Sequence, residues 1–464
     1  MYVCMYVCMY KILAGNCINI HKEKMNCMRY INNSLSSLRG ALRLKRVLCV
    51  VLSILATITC KNISAAGAAS GAGAPASVQA ATAGAAGAVG GAGTAAGEFK
   101  AVWVCSVLNL DFPSQTGLSN DALKQEIETI VKNTAALNLN AIILQVRPSG
   151  DALYKSDLFP WSEYLSGTQG IAPADGFDPL EYWIEQAHAH GLELHAWINP
   201  YRVTHATQHI TDVNALANNN LAKLEPSRVV EYKDALYYDP GLYVNKKLVI
   251  YGVTEIVRNY DVDGIHLDDY FYPGTDFPDD AIYKENAMGT NKEDWRRVNV
   301  NDVIKGIQRV IARENKKENR NVRFGVAPFS IWMNASSSPL GSDTKGNEAY
   351  KNMYADTRRW VKSGWLDYIC PQIYWYRGFE IADYVKILDW WVDVCKGTGV
   401  DLYVGHAAYR EYESGGGDIN WKGEIIGQLK HNAQNYPGII KGSVFFRYDS
   451  LQGELGKQIS EFYK

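Results

Sequence analysis

Short apolar runs alternate with helical patterns along the chain from Lys100 to its end. The apolar runs predict strands at 101–107, 140–146, 192–198, 262–267, 322–327, 367–374, 401–405 and 443–447. The helical patterns lie between and after them, near 119–137, 178–190, 244–259, 294–317, 350–362, 382–397, 421–434 and 452–463. Repeated strand-then-helix units predict an α/β fold, a (β/α)8 TIM barrel. An open doubly wound sheet is the alternative, but no GxGxxG turn follows the first strand.

Polar and apolar residues alternate within these predicted strands, so one parity is expected to face the barrel interior. On the third strand, His195 and Trp197 alternate with Leu194 and Ala196. The inward series end in hydrogen-bonding residues at the carboxyl ends of the strands: Arg147, Asn199, Asp268, Tyr374, His406 and Arg447. Because the carboxyl ends of the strands carry the chemistry in such barrels, we predict a catalytic face there.

The stretch 261–273 (DVDGIHLDDYFYP) contains the fourth predicted strand and ends it with two adjacent carboxylates, Asp268 and Asp269. Capping of a loop or helix start is the alternative interpretation of such a pair. Asp268 has inward parity and is the first catalytic candidate. Asp269 has the opposite parity, so it is expected to orient the loop or a substrate hydroxyl, or to act as the partner acid.

Hydrolysis of a glycosidic bond normally requires two carboxyl groups. The fifth predicted strand ends in Val-Ala-Pro-Phe-Ser and provides none. The candidates for the second group are Asp151, Asp269, Glu411, Glu413 and Asp449. Asp151, just after the second strand, is the preferred catalytic partner, and bracing of its loop is the alternative role.

Several other residues on this face are predicted to bind substrate. Arg147 is suited to a two-pronged contact with a carboxylate of the substrate, although a structural ion pair is the alternative. The other predicted substrate-binding residues are expected to form hydrogen bonds to sugar hydroxyls or to stack their aromatic rings on sugar rings. The predicted substrate-binding residues are Arg147, His195, Trp197, Asn199, His266, Tyr270, Tyr272, Gln372, Tyr374, Trp375 and His406.

The composition narrows the class of protein further. The 464 residues are 47% hydrophobic with a formal net charge of −2, which gives no basic stripe for nucleic acid. Twelve Trp and 29 Tyr favour a carbohydrate ligand without requiring one. After the N-terminal region the cysteines are Cys105, Cys370 and Cys395, whose wide spacing predicts small buried side chains and no disulfide framework or metal site. No cofactor is predicted.

The first residues are predicted to be a leader and a tether. Basic residues precede an apolar run at 47–59, which is typical of a secretory signal peptide and too short for an ordinary membrane span. Cys60 directly follows and is a candidate lipid anchor, with cleavage near Ala65 as the alternative. We therefore predict a leader and signal peptide at 1–60, an Ala/Gly-rich flexible linker at 61–97, and the barrel at 98–464. An exported protein, periplasmic or anchored to the outer membrane, is expected.

Five motifs together resemble the bacterial glycosyl-hydrolase-like 10 family: 145–170, 177–202, 261–273, 364–375 and 405–409. The resemblance implies a TIM barrel of exported or lipid-anchored glycoside hydrolases, some of which act on peptidoglycan strands stripped of their peptides. The chain is thus expected to cleave a polysaccharide by carboxylate acid/base catalysis.

Two alternatives remain open at the level of sequence. One is a carbohydrate-binding lipoprotein that has kept the barrel without catalysis. The other is a metal-dependent hydrolase in which His195, His266, His406 and Asp268 converge, although no HxxH or HxH spacing supports it. A second carboxylate within ~10 Å of Asp268 in an open cleft would favour the glycoside hydrolase, and its absence would favour the binding protein.

Overall fold

The computed structural model describes residues 97–411 and 421–464. The strands are Phe99–Val104 (β1), Ala141–Arg147 (β2), Glu193–Ile198 (β3), Val229–Tyr232 (β4), Ala235–Tyr238 (β5), Gly264–Leu267 (β6), Arg323–Val326 (β7), Tyr368–Ile369 (β8), Asp401–His406 (β9) and Ile440–Phe445 (β10). The α-helices are Asn120–Ala136 (α1), Glu163–Ser166 (α2), Pro179–Ala189 (α3), Leu221–Leu224 (α4), Tyr243–Asn259 (α5), Asp280–Asn286 (α6), Lys292–Glu318 (α7), Ala349–Asn352 (α8), Thr357–Lys362 (α9), Tyr384–Cys395 (α10), Glu424–Asn435 (α11) and Glu454–Phe462 (α12).

Every strand except β4 and β5 belongs to one closed parallel barrel, in the order β1-β10-β9-β8-β7-β6-β3-β2. Each of these strands overlaps a predicted strand, so the (β/α)8 TIM barrel is confirmed and the open sheet is excluded. The sixth barrel strand, β8, is shorter than predicted. Pro371 interrupts it because proline has no N–H to donate, and Gln372 continues the strand through isolated bridges to Phe329 and Gly405.

The alternation of the strands separates two apolar layers. Ala141 and Ile143 of β2 pack inside the barrel, whereas Leu144 and Val146 pack between the barrel and its helices. The longer helices α1, α3, α5, α7, α10, α11 and α12 present their apolar faces to this outer layer. Local capping sets where α3 begins: the Asp178 carboxylate accepts the Leu180 N–H at its start.

A hairpin formed by β4 and β5 was not predicted. Its strands are antiparallel and joined by Lys233 and Asp234, which both have positive φ angles of 47° and 61°. Two consecutive residues with positive φ are typical of the tight turns that join two strands. A bridge between Arg202 and Tyr237 attaches the hairpin to the loop that follows β3.

Two glycines make room for polar side chains deep in the barrel. A Cβ atom at Gly264 of β6 would overlap the His195 ring, and one at Gly325 of β7 would overlap the Tyr368 ring. Both rings fill the interior at the level where these strands begin. Glycine is therefore required there by close approach rather than by backbone conformation.

The predictions for the leader and for most of the tether concern residues outside the described ranges, so they stay predictions. Within 97–411 and 421–464, no helix is both long and apolar enough to cross a membrane. Cys105, Cys370 and Cys395 are buried in the fold, as predicted.

Candidate functional site

The two adjacent carboxylates lie at the carboxyl end of β6, in the mouth of the barrel. Asp268 is 4% exposed, whereas Asp269 is half-buried. Tyr270 follows them and is 54% exposed. The exposure of side chains thus increases along this short segment, from the barrel interior towards solvent.

Three donors hold Asp268. Trp197 donates its Nε1–H to Asp268 Oδ2 at 3.0 Å, and Asn199 donates its side-chain amide to the same oxygen. The Tyr270 N–H donates to Asp268 Oδ1 at 3.3 Å. Both side-chain donors come from β3 and its end, because their inward parity brings them beside the end of β6. Trp197 and Asn199 therefore orient Asp268.

Asn199 is itself oriented by two further donors. Gln145 Nε2 and Arg202 Nη2 donate to Asn199 Oδ1 at 2.6 and 2.7 Å, so the Asn199 amide N–H must point to Asp268. Gln145 Oε1 in turn accepts the N–H of Ser106. Arg202 was not among the predicted site residues. Its signal in the sequence was its place three residues after Asn199, beyond the end of a strand.

Asp269 lies beside Gln372, whose side chain faces the barrel interior as the alternation along the sixth predicted strand indicates. Gln372 Nε2 donates to Asp269 Oδ1 at 3.2 Å and to the Ala327 carbonyl at 2.8 Å. The contact links the end of β6 to the segment after β8. Gln372 is thus a neighbour of the carboxyl pair and of the end of β7.

The electrostatics of the pair follow from its burial. Burial raises the pKa of Asp268, and the negative charge of Asp269 raises it further. Burial also raises the pKa of Asp269, while Arg202 opposes the rise at both groups. Two adjacent carboxyl groups in a poorly solvated site do not both ionise readily. The pair therefore retains a proton at pH values where isolated Asp side chains are ionised.

Aromatic side chains follow the carboxyl pair and the end of β8. Tyr374 is half-buried, and its ring centroid lies 6.1 Å from Phe446 and 6.2 Å from Tyr409. Burial raises the pKa of the Tyr374 phenol, with a smaller contribution from Asp269. Trp375 is half-buried and meets Phe329 edge to face at 5.7 Å. Such rings, together with exposed Tyr270, offer apolar faces at the mouth.

Asp151 is completely buried, at 0% exposure, in the loop after β2. Gln169 Nε2 donates to Asp151 Oδ2 at 3.1 Å, and Gln169 Oε1 accepts from Asn220 at 3.0 Å. Burial raises the pKa of Asp151 to about 7. These contacts join the loops after β2 and β3, which matches the bracing role. Among the described residues, no hydrogen bond links Asp151 to the carboxyl pair.

The remaining carboxylate candidates have other partners. Glu411 accepts the Gly423 N–H at 2.9 Å, and Asp449 lies 3.4 Å from Arg447. Arg447 also forms an ion pair with buried Asp111, which joins the loops after β10 and β1. Glu413 lies outside the described residues.

Arg147 does not face the mouth, which corrects its predicted role. The pairing of β2 with β3 shifts between Gln145 and Arg147, and this irregularity turns Arg147 away from the interior. The guanidinium lies 4.2 Å from the Phe159 ring centroid and against Gly252 of α5. Arg147 is therefore a buried packing residue between the barrel and a helix.

His406 and Tyr272 are also corrected. His406 is buried on the outer side of β9, where its Nδ1 lies 2.8 Å from Gln428 Oε1 of α11. Tyr272 is buried with its ring edge to face with Tyr354 at 5.2 Å, and Arg296 lies over the same ring. Neither side chain reaches the mouth. His406 points outward from its strand, and Tyr272 packs back into the fold.

His195 and His266 face the interior but lie below the mouth, so neither is placed to contact a substrate. Trp103 Nε1, which only donates, lies 3.2 Å from His266 Nε2. His266 must then carry its proton on Nδ1 and donate it to the Tyr368 hydroxyl at 3.0 Å. Tyr368 in turn donates to His195 Nδ1 at 2.9 Å, and His195 Nε2–H donates to Glu193 at 3.2 Å. Burial lowers the pKa of His266, in keeping with the neutral ring.

The ligand set of the metal hypothesis is not assembled. The ring nitrogens of His195 and His266 are all engaged in the chain just described, and His406 lies outside the barrel. Residues 97–411 and 421–464 contain no group of three or more His, Cys, Asp or Glu side chains that could hold a metal ion.

A cleft of about 660 Å³ lies apart from the carboxyl pair, between the start of α7 and the segment 346–354. Its charged side chains neutralise each other: Arg296 pairs with Asp279, and Lys351 pairs with Glu348 at 3.0 Å.

Comparison with known proteins adds to this geometry. The model of the family described as glycosyl hydrolase-like 10 matches residues 98–422. Glycosyl hydrolase YngK of Bacillus subtilis (strain 168) is 42% identical over 363 residues, which cover 76% of this chain and 69% of that protein. Glycosyl hydrolase DigH of Escherichia coli (strain K12) is 35% identical over 373 residues, which cover 76% of this chain and 83% of that protein.

Among solved structures, the PgaB (BpsB) glycoside hydrolase domain from Bordetella bronchiseptica is similar, with a TM-score of 0.51 and 12% sequence identity. The match covers 79% of this chain and 99% of that domain. At this identity the similarity shows the shared barrel fold.

Proposed function

The chain belongs to the glycosyl hydrolase-like 10 family, and we propose that it hydrolyses the glycosidic bonds of a polysaccharide with Asp268 and Asp269 as its catalytic carboxyl groups. The observation that carries the proposal is the convergence of Trp197 and Asn199 on Asp268 at the mouth of the barrel. Such convergence holds a carboxylate in one orientation, which general acid and base catalysis requires.

Cleavage requires a proton for the departing sugar oxygen and stabilisation of positive charge at the anomeric carbon. The carboxyl pair retains one proton because its members are buried and adjacent. The protonated member donates to the glycosidic oxygen, and the ionised member stabilises the developing positive charge. Gln372 and Asn199 hold the two groups during the reaction.

The polysaccharide is bound at the aromatic mouth. Tyr270, Tyr374 and Trp375 retain exposed surface around the pair, and sugar rings stack on such faces. We propose peptidoglycan glycan strands as the substrate within this class. The resemblance of the sequence motifs supports this choice.

Export is part of the proposal. The apolar run at 47–59 followed by Cys60 supports a signal peptide with a lipid anchor. Expression of the full chain with Cys60→Ala tests the anchor: the variant should move from the membrane fraction to the soluble fraction and lose label from radioactive palmitate. A labelled or membrane-bound variant contradicts an anchor at Cys60.

A digest of purified glycans, with peptide-free peptidoglycan strands among them and product masses as the readout, tests the function. Asp268→Asn should abolish cleavage without lowering thermal stability. Asp261→Asn is the matched control, because Asp261 is exposed and paired with Arg320 before the start of the same strand. Turnover by Asp268→Asn at the wild-type rate removes Asp268 from the mechanism. Binding of glycans without cleavage by the wild type indicates a carbohydrate-binding protein.

A further inference from the structure

We propose that the attacking group in this barrel is the 2-acetamido group of the substrate itself, oriented by Asp268, while Asp269 donates the proton to the leaving oxygen. The inference rests on the proposed glycoside hydrolase function and defines its substrate class. The group that attacks the anomeric carbon then belongs to the sugar and not to the protein.

Asp268 is built to orient a group rather than to attack. Its Oδ2 is occupied by the donors Trp197 and Asn199, and only Oδ1 is left, with one long bond of 3.3 Å from the Tyr270 N–H. A carboxylate held in this way cannot swing to form a bond at an anomeric carbon. Its Oδ1 retains a lone pair that can accept one further N–H, such as that of an amide.

Asp269 is better placed to give a proton to substrate. It is more exposed than Asp268 and receives a side-chain hydrogen bond from Gln372 alone among the described residues. Hydrogen-bond donors favour the charged form of a carboxyl group. The three donors at Asp268 favour its ionised form against the effect of its burial, and Asp269, which retains more exposed surface, is the member that can reach the leaving oxygen.

Adjacent residues cannot supply the two separate carboxyl groups of the usual mechanisms. Those groups flank the scissile bond at ~5–5.5 Å or ~6.5–9.5 Å and approach the sugar from different sides. Asp268 and Asp269 are neighbours whose Cα atoms are about 3.8 Å apart at one strand end. Two carboxyl groups on neighbouring residues of one strand end do not face each other across a sugar, so we place the attacking group elsewhere.

The described carboxylates nearby are already engaged. Asp111 is paired with Arg447, Asp151 is buried under Gln169, and Glu411 accepts the backbone of residue 423. Among the described residues, no hydrogen bond links any of the three to the carboxyl pair. The acetamido oxygen of a substrate needs no such residue, because it is carried on the carbon next to the anomeric centre.

The reaction proceeds by two displacements at the anomeric carbon. The acetamido carbonyl oxygen forms a bond to the anomeric carbon as the glycosidic C–O bond breaks, and the leaving oxygen takes the proton of Asp269. The resulting oxazolinium ion keeps its N–H on Asp268. Water then attacks the anomeric carbon and gives a proton to Asp269. The bond between the anomeric carbon and the former acetamido oxygen breaks at the same time, which restores the acetamide. Two displacements leave the anomeric configuration unchanged.

This route requires a 2-acetamido-2-deoxy sugar on the non-leaving side of the scissile bond. A sugar with a free amine or a hydroxyl at that carbon has no carbonyl oxygen to attack. The decisive experiment compares, with the full chain, an N-acetylated oligosaccharide that the wild type cleaves and the same oligosaccharide after chemical de-N-acetylation. We expect cleavage to fall at least about 100-fold, and proton NMR to show retained configuration in the first product.

Equal cleavage of the de-N-acetylated oligosaccharide, or a product of inverted configuration, overturns the inference while leaving the proposed function intact. Absence of cleavage of every glycan tested, N-acetylated ones included, overturns the proposed function itself. The two failures are therefore distinguishable in one set of digests.

Two variants separate the roles of the pair. On a dinitrophenyl glycoside of the cleaved oligosaccharide, whose leaving group needs no proton, Asp269→Asn should retain at least about a tenth of the wild-type rate. Asp268→Asn should lose about 100-fold or more on both the natural and the activated substrate. If Asp268→Asn retains activity on the activated substrate and Asp269→Asn loses it, Asp268 is the proton donor and the proposed roles of the two residues are overturned. Glu413→Gln is the control: wild-type turnover agrees with the inference, and an equal loss makes Glu413 the second carboxylate and overturns it.

Discussion

The interior of the barrel contains two hydrogen-bonded layers that begin with the same chemistry and end differently. In the lower layer, Trp103 donates to His266, and the chain continues through Tyr368 and His195 to Glu193. In the upper layer, Trp197 donates to Asp268, which lies at the mouth. Both layers are polar and inward-facing.

The difference lies in what each layer leaves open. Every ring nitrogen of the lower layer has a partner, so the layer is complete without a ligand. The upper layer ends in two adjacent carboxyl groups: the charge of Asp269 raises the pKa of Asp268, and Asp269 keeps part of its surface towards solvent. A complete network stabilises a barrel, whereas an incomplete one at the mouth is available to a substrate.

The largest expected effect in the upper layer apart from the acids comes from Asn199→Ala. Loss of its amide donor frees Asp268 Oδ2, and we expect kcat to fall about 10- to 100-fold with a smaller change in KM. Its pH–rate profile should also shift, because a donor that favours the ionised carboxylate is lost. A wild-type kcat with an unchanged profile would show that Asn199 does not position Asp268.

Tyr368→Phe breaks the lower layer at its centre. Both histidines lose a partner while remaining buried, and we expect a loss of about 1–3 kcal/mol in the free energy of unfolding. Activity at 25 °C should stay within about threefold of the wild type, because the layer does not touch the carboxyl pair. Urea denaturation and the glycan digest measure the two quantities. A large loss of activity in a stably folded variant would connect the layers functionally.

The pH dependence of stability distinguishes the layers in a second way. The folded pKa of the carboxyl pair is raised above the unfolded value of about 4, so the folded state binds more protons and stability falls as pH rises above that value. Asp268→Asn removes this cost. The melting temperature of Asp268→Asn minus that of the wild type should be larger at pH 8 than at pH 4. An equal difference at both values would contradict the raised pKa.

His406→Asn should have the smallest effect on activity. The side chain faces α11 outside the barrel, and we expect turnover within about twofold of the wild type. A reduction in melting temperature is compatible with the lost contact to Gln428. A large fall in turnover at unchanged stability would return His406 to the site.

Much of the site could be predicted from alternation along single strands. That pattern placed Asp268, Asn199, Trp197 and Gln372 on the interior side, where the structure brings them together. It failed at Arg147, because a shift in strand pairing reverses parity and leaves no mark in the local sequence. At the end of β9, Gly405 is the inward residue, and without a side chain it does not reveal which parity faces inward.

The length and order of the strand and helix patterns determined the barrel, and inward parity directed attention to the mouth. Depth within the barrel was decided only by the tertiary structure: His195 and His266 share the inward parity of Asp268 yet lie in a complete layer beneath it. The donors that hold Asp268 come from other strands, far away in sequence. Their meeting depends on closure and stagger of the barrel, which no single strand encodes.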